Sequence, residues 1–256
     1  MEILKEIFSE NCFDNNVIIS YKLFVNENVG KVTKFLEKHD NNLTKIFIDS
    51  INDLEYKDNK QWRIIHFICC YSTPEMIKYI IDKGVDLECE TNDKWRPIHL
   101  ICRYSTSEMI KYIIDKGVDL ECENNDRWRP IHIICRYSTS EMIKYIIDRS
   151  VDLECEDNEK WRPIHIICRY STLEIIKYLV DYGVELNIKN NFGKLPVDYV
   201  DDKQMQGYIR AHMMYQSRDS EELMIQQLQD KNELYQTGFH MAIKKLFGKC
   251  NKNARK

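Results

Sequence analysis

The chain has 256 residues, 43% apolar and 30% charged, with 41 acids against 37 bases for a net charge of −4. That length suits one or two domains, and so mild a balance gives no reason to expect a specific nucleic acid or an anionic membrane as partner. No run approaches the roughly 18 uninterrupted apolar residues of a membrane span.

The opening MEILKEIFSENCF lacks the basic region and apolar core of a secretory leader. Ten cysteines in such a chain read as reduced thiols, so the expected setting is intracellular, most simply cytoplasmic. Residues 1–27 are expected to form a helical cap. Beyond them the sequence repeats itself. WRIIH at 62–66 is followed by WRPIH at 95–99, 128–132 and 161–165, each 33 positions after the last. Residues 93–125 and 126–158 differ at only five places, one of them Gly117 against Ser150. Four close copies therefore lie at 61–93, 94–126, 127–159 and 160–192. A worn first copy spans 28–60, with Leu43–Asp49 in the second-helix register, and a capping copy spans 193–212. The remainder, 213–256, reads as a helical tail with a basic end.

One copy is legible from local chemistry. Pro97 fits the first turn of a helix, where a missing N–H costs nothing. Ile98, Ile101 and Cys102 share one helical face. Ser105–Glu108 contains a capping-box pattern, and Met109, Ile110, Ile113 and Ile114 stripe a second helix. Gly117 suits the left-handed residue that ends helices. Asp119–Glu123 alternates as an extended arm, and Asn124–Asp126 is turn chemistry. A single copy has too few apolar side chains to offset the ordering of its backbone, so copies must share a core by stacking.

The pattern W-R-P-I-H…E-M-I-K-Y-I-I-D-K-G-V-D-L resembles the ankyrin repeat over about residues 28–212, with its T-P-L-H helix start and G-A-D-x-N exit. The resemblance implies an all-α, ankyrin-type α-solenoid of stacked helix-turn-helix repeats with short hairpin-like arms and helical N- and C-terminal flanks. There are departures. Arg96, Arg129 and Arg162 stand where the family has Thr, so the following His loses a hydroxyl partner. Ile101-Cys102 replaces Ala-Ala, so packing there must be bulkier. Ser150 replaces the exit Gly.

Each copy offers His-x-x-Cys, as at His99 and Cys102, which on one helix face supplies two of four zinc ligands. The resemblance implies instead a structural His and a core Cys. The chain has no G-x-S-x-G, H-E-x-x-H or Gly-rich phosphate loop, and a ladder of identical His and Cys is not one specialised constellation. The reading is a non-enzyme with no cofactor and no metal.

Recognition of another protein is the remaining class. The resemblance places turn tips and one side of the first helices along a concave groove. That surface carries Trp62, Trp95, Trp128 and Trp161, with Arg103, Arg136 and Arg169 and with Tyr71, Tyr104, Tyr137 and Tyr170. Cys70 stands where the first copy would carry its Arg. These residue types are enriched at binding hot spots, and four exposed indoles would exceed a monomer's usual apolar patch. Two alternatives stand beside this: a structural ladder of indoles stacked with Arg, or copies alike only because duplicated. Acidic Glu88/Glu90, Glu121/Glu123 and Glu154/Glu156 are expected to pair with the basic positions Lys94/Arg96, Arg127/Arg129 and Lys160/Arg162 of adjacent copies. The functional expectation is a scaffold or adaptor docking a protein partner. The alternatives are a self-associating structural protein forming homo-oligomers through 213–256, or a His/Cys metal or redox module. The basic run Lys244–Lys252 reads as a solvated tail, with a partner helix, an anionic lipid or nuclear import as its other readings.

Overall fold

The computed structural model describes residues 32–33, 36–37, 41–51 and 53–217. The N-terminal cap expected over 1–27 and the tail beyond 217 lie outside the described residues. What is described is all-α: paired short helices joined by turns, with no strand among the described residues. In chain order the helices are α1 Asn41–Asp49, α2 Ile64–Tyr71, α3 Pro74–Asp82, α4 Pro97–Tyr104 and α5 Ser107–Asp115. They continue with α6 Pro130–Tyr137, α7 Ser140–Ile147, α8 Pro163–Tyr170 and α9 Leu173–Tyr182, then a 3₁₀ turn over Pro196–Tyr199. A last helical stretch, α10, covers 203–217 and runs through the 212/213 boundary drawn from the sequence.

The first helices form one continuous stack, α2 on α4 on α6 on α8 on the 3₁₀ turn, and each packs against the second helix of its own copy. α1 lies against α3, so Leu43–Asp49 sits in the second-helix register. Burial follows the apolar spacing. Ile98, Ile101, Ile131, Ile134, Ile164 and Ile167 are at most 1% exposed, and the same core takes in the second-helix isoleucines. Each first helix buries isoleucines towards both neighbours, which is how copies with insufficient cores of their own gain a shared one.

Helix ends are set by the residues the sequence marked, with one shift. The cap of α5 is Thr106, whose hydroxyl accepts from the Met109 N–H at 3.3 Å, rather than Ser105, the start of the S-x-x-E pattern. Ser105 instead ends α4. Thr139 caps α7 in the same way. Thr73 precedes Pro74 but turns its hydroxyl to Asn41 Oδ1 at 2.7 Å, tying α3 to the worn first copy. Gly84, Gly117 and Gly183 end second helices with φ of 82°, 82° and 94°, and Ser150 holds 59° at the same place.

Candidate functional site

The hairpins between copies are pinned by one buried polar residue each. Asp58, Asn124, Asp157 and Asn190 lie two and four residues ahead of backbone N–H groups that their side-chain oxygens accept. For Asp157 these come from Glu159 at 2.9 Å and Trp161 at 2.7 Å. Asn124 accepts from Asp126 at 3.0 Å and Trp128 at 2.8 Å. Thr91 holds only the second of these bonds, from Trp95, at 3.1 Å. At the tip beside it, each Asn amide reaches a carbonyl one copy back: Asn125 to Asn92 at 3.2 Å, Asn158 to Asn125 at 2.9 Å and Asn191 to Asn158 at 3.1 Å. This asparagine ladder locks the copies at the height of the tips.

The four histidines are structural. His99 Nδ1 accepts the Arg96 backbone N–H at 3.0 Å, and its Nε2 faces the Cys122 and Trp128 carbonyls at 3.3 and 3.2 Å. The backbone of the arginine thus supplies the partner that a threonine hydroxyl supplies elsewhere. With Nδ1 accepting, the hydrogen sits on Nε2 and the ring is neutral. Burial pushes His66, His99 and His132 down to about 4, against the raising effect of their carbonyl partners, and lowers His165 as well. His99 lies 3.7 Å from Cys122 Sγ, on its own copy's arm. Among the described residues no group of three or more His, Cys, Asp or Glu is arranged to hold a metal ion. Burial lifts the Cys89, Cys122 and Cys155 thiols to about 12 and those of Cys102 and Cys135 still higher, so the thiolate that chemistry requires is not formed.

Two arginine ladders run along the array, and they differ in kind. Arg129 contacts Glu121 at 2.5 Å, Glu123 at 3.0 Å and Asp152 at 3.2 Å. Arg96 does the same with Glu88, Glu90 and Asp119, and Arg162 with Glu154 and Glu156. These arginine side chains are only 16–21% exposed. The acidic arms and Arg96, Arg129 and Arg162 do pair across copies; Arg127 joins only through a 3.5 Å contact to Glu123.

The other ladder is Arg103, Arg136 and Arg169, all exposed. Each lies over aromatic rings of two copies. Arg136 is 5.7 Å from the Trp128 ring, 5.2 Å from Tyr137 and 5.0 Å from Tyr170. Arg103 lies over Trp95, Tyr104 and Tyr137 at 5.1–5.8 Å, and Arg169 over Trp161, Tyr170 and Tyr199 at 5.2–5.7 Å. Among the described residues no carboxylate comes within 4.0 Å of these three, and none of their side chains donates a hydrogen bond.

A groove of about 630 Å³ gathers these residues. It is lined by Trp95, Trp128, Trp161, Arg103, Arg136, Arg169, Tyr137 and Tyr170, with Asp126, Glu159 and Phe192 from the tips. Tyr104 adjoins it through Arg103. Trp62 and Tyr71 are not in its lining; Trp62 packs on Phe67, with ring centroids 5.0 Å apart. The expectation of four exposed indoles is corrected: Trp62, Trp95 and Trp128 are partly buried and Trp161 is 8% exposed. The cover comes from further along the chain, from the end of the same copy for Trp128 and from the capping copy for Trp161. The Trp128 indole N–H donates to Asp157 at 3.0 Å, and Trp161 stacks on Tyr199 with ring centroids 4.6 Å apart. Trp95, Trp128 and Trp161 are walls of the groove more than free anchors.

No helix among the described residues is long and apolar enough to cross a membrane. No curated protein matches the chain. A family model described as ankyrin repeats, in 3 copies, matches residues 33–124 and 105–190. With a 33-residue period built as paired helices behind a hairpin, the chain belongs to the ankyrin repeat family.

Proposed function

We propose that this array is a non-catalytic adaptor that docks another protein along the groove over α4, α6 and α8. Ankyrin repeats are in general protein–protein interaction modules and typically not enzymes. The observation that carries the reading is the contrast between the two arginine ladders. Arg96 and Arg129 each contact three carboxylates within the array. Arg103, Arg136 and Arg169 sit exposed on aromatic rings with no carboxylate within 4.0 Å among the described residues. A preformed, aromatic-lined groove holding unused donors has the make-up of a binding hot spot. Because it is preformed, docking loses little entropy to ordering.

The test is affinity capture with the native chain and an Arg103→Glu/Arg136→Glu variant, each checked by thermal melting. The expected outcome is loss of the captured partner in the variant at an unchanged melting temperature. Retention of the same partner moves the docking surface away from this groove. The Trp residues make poorer probes, because truncating a half-buried indole opens a cavity and confounds binding with stability.

A further inference from the structure

The groove's charge and period narrow what it takes, provided the docking reading above holds. We infer that its occupant is an extended acidic segment of another protein, carrying a carboxylate at every third residue, with one carboxylate on each of Arg103, Arg136 and Arg169.

The first argument is donor geometry. The guanidinium carbons of Arg103 and Arg136 lie 5.5 and 5.0 Å from the ring centroid of the tyrosine in the following copy. A ring is no hydrogen-bond partner for the guanidinium fork, so the side-chain N–H groups stay available, and that planar fork matches a carboxylate with two parallel hydrogen bonds. The rings also hold the side chain in place, so a ligand need not order it.

Spacing supplies the second argument. The three arginines occupy equivalent positions on α4, α6 and α8, which pack in sequence. Helices so packed stand about 8–10 Å apart. A polyproline-II segment rises about 3.1 Å per residue with three residues per turn, so every third side chain leaves the same side at a step of about 9 Å. A regular strand repeats its side every second residue, about 7 Å, and drifts out of step by the third arginine.

The third argument is what the groove opposes. Asp126 and Glu159 line the same cavity from the hairpin tips. A continuous polyanion would meet them as well as the arginines. Residues between the partner's acids must therefore be uncharged or basic, which selects spaced acids over an acidic run or a nucleic acid strand.

The test is fluorescence anisotropy on the full chain at low salt with four labelled probes. One peptide carries three Glu at every third position in a proline-rich frame. Another has the same composition with its Glu contiguous. A helical peptide carries acids seven apart, and the last probe is a ten-nucleotide thymidine strand. The spaced peptide is expected to bind at least tenfold tighter than the other three. Arg136→Gln is expected to weaken it at least tenfold with unchanged melting, and Arg136→Lys to restore only part, since Lys has no fork. Equal binding of spaced and contiguous peptides, preference for the helix or the oligonucleotide, or indifference to Arg136→Gln overturns the inference. If the peptides fail while partner capture still depends on Arg103 and Arg136, the acidic-segment chemistry is wrong and the docking reading survives. If capture is indifferent to both, the docking reading itself falls.

Discussion

Ser150 holds a φ of 59° at the helix exit where three other copies place glycine. A side chain in the left-handed region is strained whatever the space around it, and a Cβ at the equivalent Gly117 would meet nothing within 4 Å. Conformation alone is therefore the cost. Ser150→Gly is expected to stabilise by about 0.5–1 kcal/mol, read as a raised denaturation midpoint. The buried histidines set a pH response. His66, His99 and His132 stay neutral in the fold down to about 4, whereas an unfolded histidine protonates near 6.5. The unfolded chain thus binds more protons between those values, so stability is full above pH 6.5 and falls as pH drops towards 4. At pH 5 the loss is about 2 kcal/mol for each of the three, to be measured by urea denaturation at pH 7.5 and 5. These residues were legible from their spacing. The left-handed backbone at Lys94, Arg127 and Lys160, with φ of 57–59°, was not. The signal was present, since Gly193 stands in the same register with φ 70°, but a lone glycine at the start of the capping copy does not reveal that Lys and Arg hold the same backbone in the others.

At the level of the helix and its arm, Arg129 is where two copies meet. It bridges Glu121 and Glu123 on the preceding arm to Asp152 on its own, at 19% side-chain exposure. Glu121 also accepts the Asp152 backbone N–H at 3.2 Å, closing a small network. Isolated surface pairs contribute little, but a charge reversal here sets four carboxylates together. Arg129→Glu is expected to destabilise by about 2–3 kcal/mol, partly relieved by salt; equal urea midpoints for variant and native chain at low salt would refute the pairing. The pairing was visible in sequence because acids and bases alternate at fixed offsets. The asparagine ladder was not. Asn92, Asn125 and Asn158 looked like ordinary turn residues, and only stacking brings each amide to a carbonyl 33 residues back. The indoles were misjudged for a related reason: what covers Trp128 is Asp157, 29 residues further on at the far turn of the same copy.

Across the whole array, the contacts within and between copies recur at a step of 33 residues, so the structure is nearly invariant to a shift of that length. Excising residues 127–159 joins Asp126 to Lys160 and restores the same contacts across the junction. The shortened chain is expected to fold with a lower melting temperature, while excising 127–156 breaks the ladders and abolishes cooperative unfolding; calorimetry distinguishes the two. The groove would lose one arginine step without changing its walls. Seven of the eight described cysteines are buried, and Cys70 alone is partly accessible. An alkylating reagent applied to the native protein thus reads breathing, not surface: beyond Cys70, each modified sulfur dates the moment its own copy came apart. The order in which Cys168, Cys135 and Cys102 are labelled would chart where the stack first loosens.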